Sequence, residues 1–149
     1  MANTDRIEKT VVLRAPRSRV WRALTDVREF ASWFHAVLEG ELAPGQRVSG
    51  HSTYPGHEAA RFDIAVERME PETYFSFRWP HECEPGADSA TAPRTLVEFR
   101  LEQVPEGTRL TVIESGFDAI PLAQRAEAIR GNAEGWTIQL ENIERHVTR

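Results

Sequence analysis

A chain of 149 residues suits one domain and does not comfortably hold two, so residues 1–149 are read as a single domain. With 40% hydrophobic and 28% charged residues and a net charge of −5 without a dense basic run, its composition is that of an ordinary soluble globular domain and speaks against a nucleic-acid partner. No apolar run reaches the ~18–20 residues of a membrane span, the first ten residues are not a secretory signal, and the single cysteine, Cys83, excludes an intrachain disulfide and a cysteine-ligated iron–sulfur cluster; no membrane partner and a cytoplasmic location are expected.

The segment Ile7 to Arg14 is rich in β-branched residues and stops at Ala15-Pro16, which predicts a strand. Pro16 suits the first turn of a helix, where its missing N–H costs nothing. Val20, Trp21, Leu24, Val27 and Phe30 then recur at three- and four-residue steps, one apolar face of a helical pair. The pair breaks near Thr25-Asp26, where Asp26 can cap the second piece, which ends in Trp33-Phe34-His35.

From about Val37 to Ser115 the period changes to two. Turns at Pro44-Gly45, Pro55-Gly56, Pro71-Glu72 and Pro105-Glu106-Gly107 separate strands near 37–42, 46–54, 60–69, 73–79, 94–103 and 108–115. Short turns between successive strands imply antiparallel neighbours. The stretch from Pro80 to Pro93 reads as a mobile loop. Finally, Leu122, Ala126, Ile129, Ala133, Trp136, Leu140, Ile143 and Val147 step by alternating fours and threes, the seam of one long helix opening at Pro121. Two alanines and a tryptophan beside Gly131 and Gly135 favour a helix lying on a curved sheet over a coiled coil, and the glycines permit a bend.

Alternation assigns faces. Val97, Phe99 and Leu101 share one side, with Glu98, Arg100 and Glu102 toward water. Phe75, Phe77 and Trp79 share a side, as do Phe62, Ile64 and Val66. Leu110 and Val112 share theirs with Glu114. A carboxylate on the core face must be paired, protonated or wetted, because an unpaired buried one costs several kcal/mol. Aromatics plus one carboxylate on an inner face suggest a partly hydrated pocket. The competing reading places Glu114 at the strand end, on the rim.

The histidines His35, His51, His57, His81 and His146 form no close metal-ligand cluster. His81-x-Cys83-Glu84 could touch a metal but falls in the expected loop, so no metal and no cofactor are expected. Neither a Gly-x-Ser-x-Gly elbow nor a dinucleotide fingerprint is present.

In order along the chain, Arg14-Ala-Pro16, Val20-Trp21-Arg22-Ala23-Leu24-Thr25, Trp33-Phe34, Glu67-Arg-Met-Glu-Pro71, Leu96-Val-Glu-Phe99, Thr108-Arg-Leu-Thr-Val-Ile-Glu-Ser-Gly-Phe117 and Gly135-Trp136 carry a resemblance. The chain resembles the START and Bet v 1-like (SRPBCC) superfamily, within it the group named after the activator of the Hsp90 ATPase. The resemblance spans about residues 7 to 147. It implies an α+β helix-grip fold: a seven-stranded curved antiparallel sheet with two short helices and one long C-terminal helix across it. The co-chaperones that give the group its name have a separate activating domain, for which 149 residues leave no room. A vanillate demethylase reductase activity, sometimes attached to relatives, would need an iron–sulfur centre that one cysteine cannot supply.

A helix laid across a strongly curved sheet often leaves space between them. The expectation is therefore a hydrophobic or aromatic small-molecule ligand, held by Trp33, Phe34, Phe62, Phe77, Trp79, Phe99, Trp136 and Leu140, with Glu114 as the orienting polar group. A second reading is a cofactor-free enzyme of cyclase, dehydratase or hydrolase type, in which Glu114 and either His35 or His51 form an acid/base pair across the pocket. A third is a protein-interaction domain, chaperone-linked or a homodimer. Binding is favoured over catalysis, since a fold does not imply an activity.

Overall fold

Seven strands, a helical pair and one long helix follow the order that the sequence periodicity predicts. The structure, a computed structural model, describes residues 6–56, 58, 60–80 and 93–148. Strand β1 (Ile7–Leu13) leads into α1 (Arg17–Thr25) and α2 (Val27–Phe34). The meander follows: β2 (Ala36–Glu39), β3 (Arg47–Ser52), β4 (Arg61–Glu70), β5 (Tyr74–Pro80), β6 (Arg94–Val104) and β7 (Gly107–Ser115). A 3-10 turn over Phe117–Ala119 precedes α3 (Leu122–Val147).

Each helix boundary has a local cause. Pro16 sits one position ahead of the first turn expected for it, as the N-cap of α1, with extended backbone and its carbonyl accepting from Arg19 and Val20 N–H. Asp26 serves both short helices. Its N–H donates to the Arg22 carbonyl, closing α1, and its side chain accepts from the N–H groups of Arg28 (2.9 Å) and Glu29 (3.2 Å), opening α2. His35 ends α2 in a left-handed conformation, φ 59°. β2 is shorter than the expected 37–42 because Gly40, at φ +124°, turns the chain out of the sheet and lets Leu42 point into the core.

The strands form one curved antiparallel sheet in the order β1-β7-β6-β5-β4-β3-β2, so the first strand pairs with the last and the rest is a simple meander. Glu67 is an extra residue between the pairs Val66–Phe77 and Arg68–Ser76, a bulge that adds local twist in mid-sheet. The β6–β7 turn is locked to the chain leaving β1. Gly107, at φ +146°, lies so close to that chain that a Cβ would sit 2.2 Å from the Leu13 carbonyl oxygen, and the Thr108 hydroxyl donates to the Ala15 carbonyl at 2.9 Å.

The inner face of the sheet and the three helices enclose a core rich in phenylalanine and tryptophan. α3 runs unbroken through Gly131 and Gly135. Its apolar seam is covered unevenly. Trp136, Leu140, Ile143 and Val147 are buried and Ile129 and Ala133 half-buried, whereas Ala126 is exposed and Leu122 is 76% exposed. The seam therefore runs past the covered part of the core, toward the end of the sheet where β5 stops and β6 begins.

Candidate functional site

Glu114 is the centre of the interior at that end. Along β7 the residues Thr108, Leu110, Val112 and Glu114 alternate onto the inner face, and Glu114 pairs across the sheet with Ile7 on one side and Val97 on the other. Its side chain is 0% exposed.

Four neighbours donate to its two oxygens. From the sheet, the Trp79 indole N–H reaches Oε2 at 2.9 Å and the Thr95 hydroxyl reaches the same oxygen at 2.5 Å. Trp79 and Thr95 are cross-strand partners on β5 and β6, which places both on the inner face beside Glu114. From α3, the Trp136 indole N–H reaches Oε1 at 2.9 Å, and the Asn132 amide straddles both oxygens at 3.1 and 3.2 Å. Asn132 and Trp136 are four residues apart, one turn of the same helix face. A carboxylate has about four lone-pair sites, and here every one has a donor. All four donors are neutral. Among the described residues no lysine, arginine or histidine nitrogen lies within 4.0 Å of Glu114.

Around the carboxylate the rings touch one another in series. Trp79 stacks on Trp136 (5.8 Å, 23°) and on Phe62 (6.2 Å, 22°), and Phe77 meets Trp79 edge-on at 5.1 Å. Phe34 contacts Phe62, Trp79 and Trp136, and Phe99 contacts Trp136. These rings line the region between the curved sheet and α3. Phe34, Phe77, Phe99 and Trp136 are buried, while Phe62 and Trp79 are only half-buried and form the outer edge of the stack. Two open grooves, of about 520 and 530 Å³, lie elsewhere: one runs along Arg68, Tyr74, Arg100 and Arg109 on the outer face of the sheet, the other by Arg14, Arg17 and Glu72.

The other candidates fall in different places. Trp33 is buried, but its indole N–H donates to the Ala23 carbonyl at 2.8 Å, so its polar edge serves the helical pair. Leu140 lies deeper along α3, one turn past Trp136. The acid/base pair is not assembled, and this corrects the expectation for both histidines. His35 is exposed at the end of α2, its ring edge-on to Tyr54 at 5.8 Å. His51 pairs with Val37 and Arg61 and shares the parity of Arg47 and Ser49, on the opposite face from buried Val48 and Ser52. His57, His81, Cys83 and Glu84, with nearly all of the expected loop, lie outside the described residues. Among the described residues no three His, Cys, Asp or Glu side chains come together as a metal site, and no helix is long and apolar enough to cross a membrane.

Two site residues, Thr95 and Asn132, escaped the sequence reading. Both had a signal: Thr95 has the parity of Val97 and Phe99, and Asn132 precedes Trp136 by four. A search for apolar periodicity passes over polar residues on a buried face.

Residues 14–148 match the protein family described as Activator of Hsp90 ATPase homolog 1-like protein. The chain belongs to this family. Its helix-grip fold and its place in the START/Bet v 1-like (SRPBCC) superfamily follow. Among solved structures, protein MLL2253 from Mesorhizobium loti is 26% identical, with 97% of each chain covered and a TM-score of 0.78. DynU16, a protein of the dynemicin biosynthetic locus, is also 26% identical with a TM-score of 0.76; the match takes in 98% of this chain but 48% of DynU16, so the chain spans about half of that protein's length. A solution structure from Arthrobacter aurescens, 21% identical over 97% of this chain and 86% of its own, has a TM-score of 0.76 and shows likeness of fold. No curated protein matches the chain in sequence. For this member of the Activator of Hsp90 ATPase homolog 1-like family, the closed carboxylate cluster between sheet and helix is the feature on which a function can be argued.

Proposed function

We propose that the chain binds a hydrophobic or aromatic small molecule between the curved sheet and α3, with access along the Phe62–Trp79 edge. One observation carries this reading. Among the described residues the aromatic interior is not sealed at the Glu114 end: its outermost rings, Phe62 and Trp79, are half-buried, and the half-buried Ile129 and Ala133 continue the apolar seam of α3 beyond them. A core built only for stability gains most by burying such rings fully, at roughly 25 cal/mol per Å². A ligand slotted against Phe62 and Trp79 would complete that burial. Trp79 stacks between Phe62 and Trp136, so a planar guest replaces ring contacts with ring contacts. Phe34, Phe77 and Phe99 back the site.

The test is native mass spectrometry of gently purified protein together with a thermal-shift screen of apolar and aromatic compounds. A copurifying small molecule, or a ligand that raises the melting temperature of the wild type but not of Trp79→Ala, supports binding here. An empty protein whose melting temperature no compound raises overturns it.

A further inference from the structure

Resting on that reading, we propose that the ligand is a cation: a protonated amine or amidinium on an aromatic body, seated against Glu114 in the place that the Asn132 amide occupies. Glu114 is the reason. It is fully buried in an aromatic interior, its four donors are all neutral, and among the described residues no basic nitrogen lies within 4.0 Å of it. A cation placed beside a buried carboxylate offsets the cost of desolvating it.

The four donors are not equally committed. Thr95 and Trp136 are 1% and 3% exposed, and Trp79 is held by stacking on two rings. Asn132 is half-buried, and its two contacts are the longest of the five, each to a different oxygen. It covers the carboxylate from the α3 side, on the helix turn between Ile129 and Trp136. A cationic N–H bonds a carboxylate about twice as strongly as a neutral amide does, so the exchange of Asn132 for a ligand ammonium is downhill at the oxygens. The Phe62–Trp79 stack supplies ring faces beside it, and these attract a cation as well.

Three probes of one shape test this by titration calorimetry at neutral pH: 1-naphthylmethylamine, 1-naphthylmethanol and 1-naphthoate. The amine is expected to bind about tenfold tighter than the alcohol, and the carboxylate more weakly than either. In Glu114→Gln the amine and alcohol should become equal. Asn132→Lys offers the carboxylate a tethered ammonium on an exposed-compatible helix position, so it should abolish the amine's advantage even where Glu114→Gln fails to fold. Equal binding of amine and alcohol by the wild type, or an amine preference that survives Asn132→Lys, overturns the cation proposal and leaves small-molecule binding standing. No binding of any of the three overturns the binding reading and the cation with it.

Discussion

Trp79 and Trp136 stack 5.8 Å apart, 23° from parallel, and each gives its indole N–H to a different oxygen of Glu114. One comes from the sheet and the other from the helix laid across it, so a single carboxylate joins the two layers of the fold. Hydrophobic packing between layers is non-directional and tolerates sliding. The two indole bonds fix how far α3 can shift along β5 and β7.

If Glu114 is this joint, removing its acceptors should cost more than its size suggests. Glu114→Leu leaves the buried Thr95 hydroxyl and Trp136 indole without partners, while Trp79 and Asn132 can reach water. The expected loss is about 2–5 kcal/mol in urea unfolding. That is a large share of the ~5–15 kcal/mol that holds a typical domain together. A change within about 0.5 kcal/mol would show that the carboxylate is not a joint.

The two tryptophans should differ. Trp136→Phe keeps a ring in the stack but removes a buried donor and leaves a Glu114 oxygen short of a partner, and about 1–3 kcal/mol should be lost. Trp79→Phe removes the same bond at a half-exposed residue, where water can stand in, and the loss should be nearer 1 kcal/mol. In a double-mutant cycle with Glu114→Gln, Trp136 should show coupling energy; additivity within about 0.3 kcal/mol would deny the link.

How the sequence announces this site is instructive. The parity of β7 puts Glu114 beside Leu110 and Val112, and the same rule puts Phe77 and Trp79 on the inner face of β5. Strand parity is a geometric necessity, so one sequence suffices to read it. The partners of a buried polar group depend on which strands neighbour each other and how a helix lies across them. Its spacing puts Asn132 on the helix face of Trp136, but nothing in that spacing marks it as facing Glu114, eighteen residues earlier. The same limit applies to His51. Its face depends on the register of β3 against β4, and that register turns it away. Whether the space under α3 is hollow depends on ring conformations, which no periodicity encodes.

Asp26 tests a local claim. It closes α1 with its backbone and opens α2 with its side chain, so Asp26→Ala removes two side-chain bonds to orphan N–H groups. A loss of about 0.5–2 kcal/mol is expected, with Asp26→Asn retaining most of the stability. Because α2 carries Phe34, which packs on Trp79 and Trp136, a frayed α2 should also change the tryptophan fluorescence of the stack in the mutant. Equal stability of Asp26→Ala and wild type would mean that tertiary packing alone sets the break between the helices.

Glu29 ties the helical pair to the far end of α3. Its carboxylate accepts from Arg19 (2.5 Å) and Arg22 (2.8 Å) and lies 2.9 Å from Nε2 of His146. Burial pushes the Glu29 carboxyl up, but the hydrogen bonds from His146 and Arg19 and the charges of Arg19 and Arg22 outweigh it and hold the group below its ordinary 4.5. A carboxyl whose value falls on folding binds its proton more readily in the unfolded chain. Its stabilising contribution is therefore complete above the ordinary value and is lost as the pH drops through the folded one. Urea unfolding of wild type and Glu29→Gln between pH 7 and pH 3 should show the variant less stable at neutral pH, with the gap closing as the medium is acidified below about 4.5. Parallel curves across that range would mean that the ion cluster contributes nothing, and that α3 is held to the helical pair by Ile143, Val147 and their apolar neighbours alone.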